Sequence, residues 1–168
     1  TMEATPAEIG WKAMARAISD MAAMGGRPLH ALVTMVLHPD VTVARTKGIY
    51  KGLSKAANSF GISIVGGETS SASVAGATRI SVALTGEVES RRCLLRSGGR
   101  AGDALFVTGR LGGSLAGRHL RFRPRLEESA WLATNFAVHA MMDLSDGLAK
   151  DLPRLARASE VGFYLEAG

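Results

Sequence analysis

A chain of 168 residues that is 46% hydrophobic, 21% charged and 5% aromatic has the make-up of a folded globular protein, which excludes intrinsic disorder. Its 20 glycines follow no triplet period, so they mark tight turns and not a collagen repeat. The net charge of +5 is concentrated between Arg91 and Arg125, where nine arginines meet one acid, Asp103.

Apolar residues recurring at Ile9, Ala13, Ala17 and Met21 predict a helix over 7–25, ended by Gly25-Gly26 and kept from resuming by Pro28. Leu29–Leu37 reads as a strand. Pro39-Asp40 then turns the chain into a second helix, 43–60, with Ile49, Leu53 and Ala56-Ala57 as its buried stripe. Gly61 stops it. Ile62–Val65 reads as a short buried strand that runs into a turn, Gly66-Gly67-Glu68-Thr69, followed by a small-residue segment over 71–77 and an alternating strand over 79–88.

Beyond residue 90, Leu105–Val107 reads as a short strand closed by Thr108-Gly109, and Gly112-Gly113-Ser114 as the opening of a helix. Pro124 interrupts the arginine-rich connection, and 127–138 is predicted helical. Met141-Met142 follows as a short strand. A last helix has Leu144, Leu148, Leu152 and Leu155 as its apolar seam and Ser145 at its N-cap. Alternating strands and helices predict an α/β fold. The rise in arginine density predicts a boundary that divides the chain into domains at 1–90 and 91–168.

No apolar run approaches the ~20 residues of a membrane helix. Glu3 and Glu8 stand where a signal peptide needs a basic region. The one cysteine, Cys93, excludes an internal disulfide and suits a reducing compartment, so a cytoplasmic protein without a membrane partner is expected. Only Phe106 and Phe122 interrupt the arginine-rich stretch as rings, which argues against stacked nucleic-acid bases and for phosphorylated small molecules.

Four acidic residues draw attention. Asp20 lies late in the first helix, where the helix dipole disfavours an acid; it is either a solvated side chain or a cation ligand. Glu68 sits beside glycines that let backbone N–H groups approach an anion; the segment is either an ordinary turn or a site in which a cation lies between the carboxylate and the anion. Asp143-Leu144-Ser145-Asp146-Gly147 pairs two carboxylates at a helix start, and capping accounts for Ser145 or Asp146 but leaves Asp143 unexplained. Oxygen-only donors of this kind suit Mg²⁺ together with substrate phosphates. Thr108 to Ser114 has a strand–glycine loop–helix form that can hold an anion, and Arg96 can clamp a phosphate or lie in solvent.

Other chemistries lack their parts: there is no G-x-S-x-G elbow, no Walker loop and no G-x-G-x-x-G, and the four histidines lack zinc spacing. Carboxylates, glycine loops and arginines remain, which are the parts of metal-assisted phosphoryl transfer.

Taken in order, these segments resemble the thiamine-monophosphate kinase family within the aminoimidazole ribonucleotide synthetase-like superfamily. The resemblance rests on Gly10-Trp11-Lys12-Ala13, Ser19-Asp20-Met21-Ala22-Ala23-Met24-Gly25-Gly26-Arg27-Pro28, Gly66-Gly67-Glu68-Thr69, Arg96-Ser97-Gly98, Gly102-Asp103, Val107-Thr108-Gly109, Pro124-Arg125-Leu126 and Met142 to Leu148. It implies a two-domain synthetase-like architecture, with a mixed N-terminal sheet and helices followed by a C-terminal α/β domain. The implied reaction is ATP- and Mg²⁺-dependent phosphorylation of thiamine monophosphate to thiamine diphosphate in a homodimer paired through its N-terminal sheets. Asp20, Glu68, Asp143 and Asp146 would be Mg²⁺ ligands. Gly67, Glu68, Arg96 and Ser145 would contact ATP, and no side-chain nucleophile is implied.

Two departures accompany the resemblance. Glu68 stands where the kinases usually carry Asp, and glutamate there is typical of the sister synthetases, which makes ATP-dependent cyclisation in purine synthesis the rival activity. The family's first strands would precede Thr1 and the rest of its C-terminal domain would follow Gly168, so both domains are expected to be incomplete. That expectation keeps open a non-enzymatic reading, a nucleotide-binding or dimerisation module without catalysis.

Overall fold

The computed structural model describes residues 4–72 and 77–166. The chain begins with helix α1 (Pro6–Ala23), strand β1 (Arg27–Leu37), helix α2 (Val43–Ser59) and strands β2 (Ser63–Ser71) and β3 (Arg79–Glu87). Thr5 starts α1 through a reciprocal capping box with Glu8: Glu8 N–H donates to Thr5 Oγ1 at 3.2 Å, and Thr5 N–H to Glu8 Oε2 at 3.0 Å. Thr42 caps α2 in the same sense by accepting the Arg45 N–H.

The sheet has the order β2-β1-β3, with β1 parallel to β2 and antiparallel to β3. Period-two alternation sends Ala31, Val33 and Met35 of β1 into the core and leaves His30, Leu32 and Thr34 on the open face. The two helices cover the first face. Met14 and Ile18 of α1 and Ile49, Leu53, Ala56 and Ala57 of α2 close the core against β1, with Ile62 at its edge. The helices cross at a backbone-to-backbone contact: a Cβ on Gly10 would strike the Ile49 carbonyl, and one on Gly52 would strike the Ala7 carbonyl.

Beyond β3 the chain has one 3₁₀ turn (Ser90–Arg92), a kinked turn over Ser114–Arg118, a single helical turn α3 (His119–Arg121), and helices α4 (Leu126–Asn135) and α5 (Leu148–Ala158). This part lies along α1. Trp11 Nε1 donates to the Phe122 carbonyl at 2.9 Å, and Arg121 Nε donates to Glu8 Oε1 at 2.6 Å. Leu94 N–H donates to the Met24 carbonyl at 3.1 Å, and the buried Ser129 hydroxyl donates to the Ala22 carbonyl.

Several expectations are corrected. Gly66-Gly67-Glu68-Thr69 is not a turn after a buried strand; β2 runs on to Ser71 because its parallel pairing with β1 continues through Leu37↔Ser71. β2 is an edge strand, so Ile64 and Val65 are exposed. Leu105–Val107 and Met141-Met142 are not strands. Neither has a ladder partner among the described residues, and Met141 makes a single backbone bond, to the Leu95 carbonyl at 2.9 Å. The helix expected from Ser114 breaks at Ala116-Gly117, whose backbone is non-helical. Ser145 does not cap α5; Gly147 occupies that position, without a side-chain cap. The expected helix over 127–138 ends at Asn135, and residues 73–76 of the small-residue segment lie outside the described residues.

Candidate active site

The last turn of α1 and the loop before α5 meet. Ser19 Oγ donates to Asp143 Oδ2 at 3.2 Å, which brings the half-buried Asp143 beside Asp20. Burial pushes the Asp143 carboxyl above its ordinary range and the negative charge of Asp20 pushes it the same way, while the Ser19 hydrogen bond and the Arg96 charge oppose the shift. Two carboxylates share one place and repel, with a guanidinium near enough to soften the repulsion. Such a donor set fits a divalent cation bound through oxygen.

Asp146 lies one loop residue before the Gly147 cap. Its Oδ2 accepts from Arg154 Nη1 at 2.6 Å, and this bond, with the Arg154 charge, holds its carboxyl below the usual range. The Asp146 N–H donates to Asp151 Oδ2 at 2.8 Å, and Arg154 Nη1 also reaches Asp151 Oδ1 at 2.7 Å. Asp151 is wholly buried, at 0% exposure. Arg16, one turn before Asp20 on α1, adds positive charge near Asp146.

Arg96 belongs to a loop fastened at several points. Its carbonyl accepts from Ser159 Oγ at 2.8 Å, and the same hydroxyl accepts the Gly99 N–H at 3.0 Å. Asp103, which accepts the Arg100 N–H at 2.8 Å, also pairs with His139 Nδ1 at 2.9 Å and ties this loop to the segment leading to Asp143. The backbone bond between Arg100 and Asp103 and the His139 contact keep the Asp103 carboxyl below its usual range.

Glu68 is placed elsewhere, on exposed β2 opposite Thr34 of β1. It lines an open concavity of about 390 Å³ with Val33, Tyr50, Gly67 and Thr69, where Tyr50 Oη and Thr69 Oγ1 are 2.7 Å apart. Gly67 has φ +137°, and a Cβ there would strike the Val33 carbonyl. Ser145 is exposed. The fold thus joins Asp20, Asp143 and Arg96, pairs Asp146 with Arg154 farther along the same loop, and leaves Glu68 and Gly67 at the sheet edge. Among the described residues, no three His, Cys, Asp or Glu side chains form a metal-holding group.

Ser19, Asp151, Arg154 and Ser159 escape a reading of the sequence alone. Asp151 does leave a signal: it falls on the apolar face of α5 with Leu148, Leu152 and Leu155, where a carboxylate needs a buried partner.

Two family models match the chain: AIR synthase related protein, N-terminal domain, over residues 1–88, and AIR synthase related protein, C-terminal domain, over residues 108–168. Thiamine-monophosphate kinase from Rhodopirellula baltica is 44% identical over 164 residues, which are 98% of this chain and 51% of that protein. The Bacillus subtilis thiamine-monophosphate kinase is 32% identical over 96% of this chain and 55% of its own length. The chain spans about half the length of the curated relatives it matches. A solved structure of AaThiL complexed with AMPPCP and TMP superimposes with a TM-score of 0.85 at 32% identity, covering 94% of this chain and 55% of that one. Hydrogenase maturation protein HypE in complex with ATP shares the fold, with a TM-score of 0.79 at 21% identity over 89% of this chain and 50% of that one.

Proposed function

The chain belongs to the AIR synthase related protein family, and from that premise we propose that it carries the nucleotide- and metal-binding part of a thiamine-monophosphate kinase. The reaction is transfer of the ATP γ-phosphoryl group to the phosphate of thiamine monophosphate, giving thiamine diphosphate. The observation that carries this reading is the meeting of Asp20 and Asp143 beside Arg96, at the junction of α1 and the loop before α5.

Donor and acceptor are both anionic, so the site has to cancel repulsion and fix an in-line approach. Asp20 and Asp143, with Asp146 on the same loop as Asp143, would hold Mg²⁺ together with substrate phosphates and so neutralise their charge, while Glu68, apart on β2, would serve a cation at the sheet edge. Arg96 binds the phosphate-bearing part of ATP through its planar donor fork. Gly67 leaves open the space a side chain would fill on β2, and Ser145 offers an exposed hydroxyl to the nucleotide. No side chain is required to become covalently attached, so the residues act by positioning and charge.

The family matches over 1–88 and 108–168 support a division into domains near residue 90. The open face of the sheet, with His30, Leu32 and Thr34, and the uncovered edge of β2 support pairing of two copies through their N-terminal domains. Among the described residues, no helix is long and apolar enough to cross a membrane.

The decisive experiment incubates the intact protein with MgATP and thiamine monophosphate and follows thiamine diphosphate by chromatography. Formation that disappears in Asp143→Asn supports the reading, and normal Mg²⁺-dependent turnover by that variant overturns it. Glu68 favours a second reading, ATP-dependent cyclisation by a sister synthetase. Turnover of formylglycinamidine ribonucleotide in the same assay, without thiamine diphosphate, would select it.

A further inference from the structure

We propose that Asp151 is the positioning residue of the Asp143–Asp146 loop, setting where Asp146 stands and thereby how tightly the site takes up a divalent cation. The proposal rests on the metal-binding reading of Asp143 and Asp146 and extends it to a residue that reading does not include.

Asp151 and Ser129 are the buried polar residues among those described, and Asp151 alone of the two is charged, at 0% exposure. Burying a carboxylate is costly unless its oxygens are satisfied. Both are: Oδ2 accepts the Asp146 N–H at 2.8 Å and Oδ1 accepts from Arg154 Nη1 at 2.7 Å. With both oxygens hydrogen-bonded and no face to solvent, Asp151 is closed to a ligand arriving from solution. Its effect is exerted through Asp146.

The two bonds act on different parts of that residue. The Asp146 N–H bond fixes the backbone just ahead of Gly147, a helix start that has no side-chain cap of its own. Arg154, anchored by Asp151, holds the Asp146 carboxylate at 2.6 Å. Since α5 is a helix, Asp151 and Arg154 lie on one face three residues apart, and their bridge turns the first turns of α5 into a rigid seat for the loop. Partners of this kind orient a metal ligand without touching the ion, and losing one commonly lowers metal affinity ~10–100-fold.

The test compares the intact wild-type protein with Asp151→Asn, which keeps the shape but loses the charge holding Arg154. Mn²⁺ alone, titrated by calorimetry, should bind about tenfold more weakly to the variant. The Mg²⁺ concentration for half-maximal thiamine diphosphate formation should rise in parallel while the KM for thiamine monophosphate stays put. A purely structural role would lower the amount of active protein and move neither quantity. Wild-type Mn²⁺ affinity in a folded Asp151→Asn overturns the proposal and leaves the kinase reading intact. Mn²⁺ binding that weakens in the variant, in a protein that makes no thiamine diphosphate, sinks the kinase reading alone. Should the variant fail to fold, amide hydrogen exchange of the wild type decides. The Asp146 N–H should exchange at least ~10-fold more slowly than that of Ser145, which has no partner among the described residues; equal rates overturn the proposal.

Discussion

Ser19 Oγ donates to Asp143 Oδ2 at 3.2 Å across 124 positions of sequence, and this one bond joins the end of α1 to the loop that leads into α5. It also helps to hold Asp143 beside Asp20, in a place where burial and the neighbouring charge make ionisation unfavourable. An acid whose folded-state pKa is raised binds its proton more tightly folded than unfolded. Its ionisation therefore weakens the fold, and stability at this residue falls as pH rises from the ordinary carboxylate range through the raised folded pKa.

Asp143→Asn should accordingly have a higher Tm than wild type at neutral pH in the absence of divalent cation, because the repelling charge is gone. Adding Mg²⁺ should reverse the order. A ligand that binds only the folded state stabilises by about 2.7 kcal/mol at a hundredfold excess over its Kd, and the variant should gain little of this. Turnover should fall by ~10²-fold or more. Differential scanning fluorimetry with and without Mg²⁺ reads the first two effects, and a phosphoryl-transfer assay the third.

Glu8 titrates in the opposite sense. The Thr5 backbone bond comes first among the causes, and the Arg121 side chain second, that lower its pKa from 4.5 to about 2. The stability it contributes is fully present above the ordinary carboxylate range and is lost as pH falls from there toward about 2. Glu8→Gln should be less stable than wild type at pH 7. The gap should close as the pH is lowered over that interval, in a series of urea melts at fixed temperature.

The α1–α2 crossing yields a packing test. A methyl group on Gly52 meets the Ala7 carbonyl, a rigid backbone atom that cannot rotate away. Gly52→Ala should cost ~1–3 kcal/mol by forcing the helices apart. Gly162, where an added methyl would meet nothing within 4 Å, supplies the control; Gly162→Ala should stay within ~0.5 kcal/mol of wild type by urea unfolding.

How much of this is legible in the chain differs between its two parts. The helix over 7–25 shows itself in the spacing of Ile9, Ala13, Ala17 and Met21, yet these flank the buried face, which Met14, Ala15 and Ile18 form; the apolar run from Leu29 marks the strand, and its pleat sends Ala31, Val33 and Met35 into the core. Glu68 is hard to place for a physical reason: glycines next to a carboxylate favour a turn locally, but parallel pairing with β1 keeps Gly66-Gly67 in the ladder, Gly67 at a positive φ. Leu105–Val107 and Met141-Met142 have strand-forming side chains but, among the described residues, no neighbouring strand to complete a ladder, a condition no local pattern reveals. Asp20, Asp143 and Arg96 can be singled out one by one, whereas their meeting depends on bonds such as Ser19 to Asp143 that link positions far apart. Ser145 reads as a cap because serine favours that position, but here the loop is held from inside α5 by Asp151.

Ser159 supplies the last prediction, because one hydroxyl fastens two points of the Arg96 loop. It donates to the Arg96 carbonyl at 2.8 Å and accepts the Gly99 N–H at 3.0 Å, from the C-cap of the same helix whose first turn holds Asp146. Ser159→Ala removes both bonds and leaves the core untouched, so the loss of stability should be modest, about 1–2 kcal/mol. The larger effect should fall on nucleotide binding. With its carbonyl released, Arg96 samples more orientations, and a planar donor fork that has to be ordered on binding holds phosphate less tightly. The KM for ATP should rise several-fold while the Mn²⁺ affinity, which depends on the other end of α5, stays near wild type. A variant in which metal affinity fell together with ATP affinity would show that the two ends of α5 do not act separately.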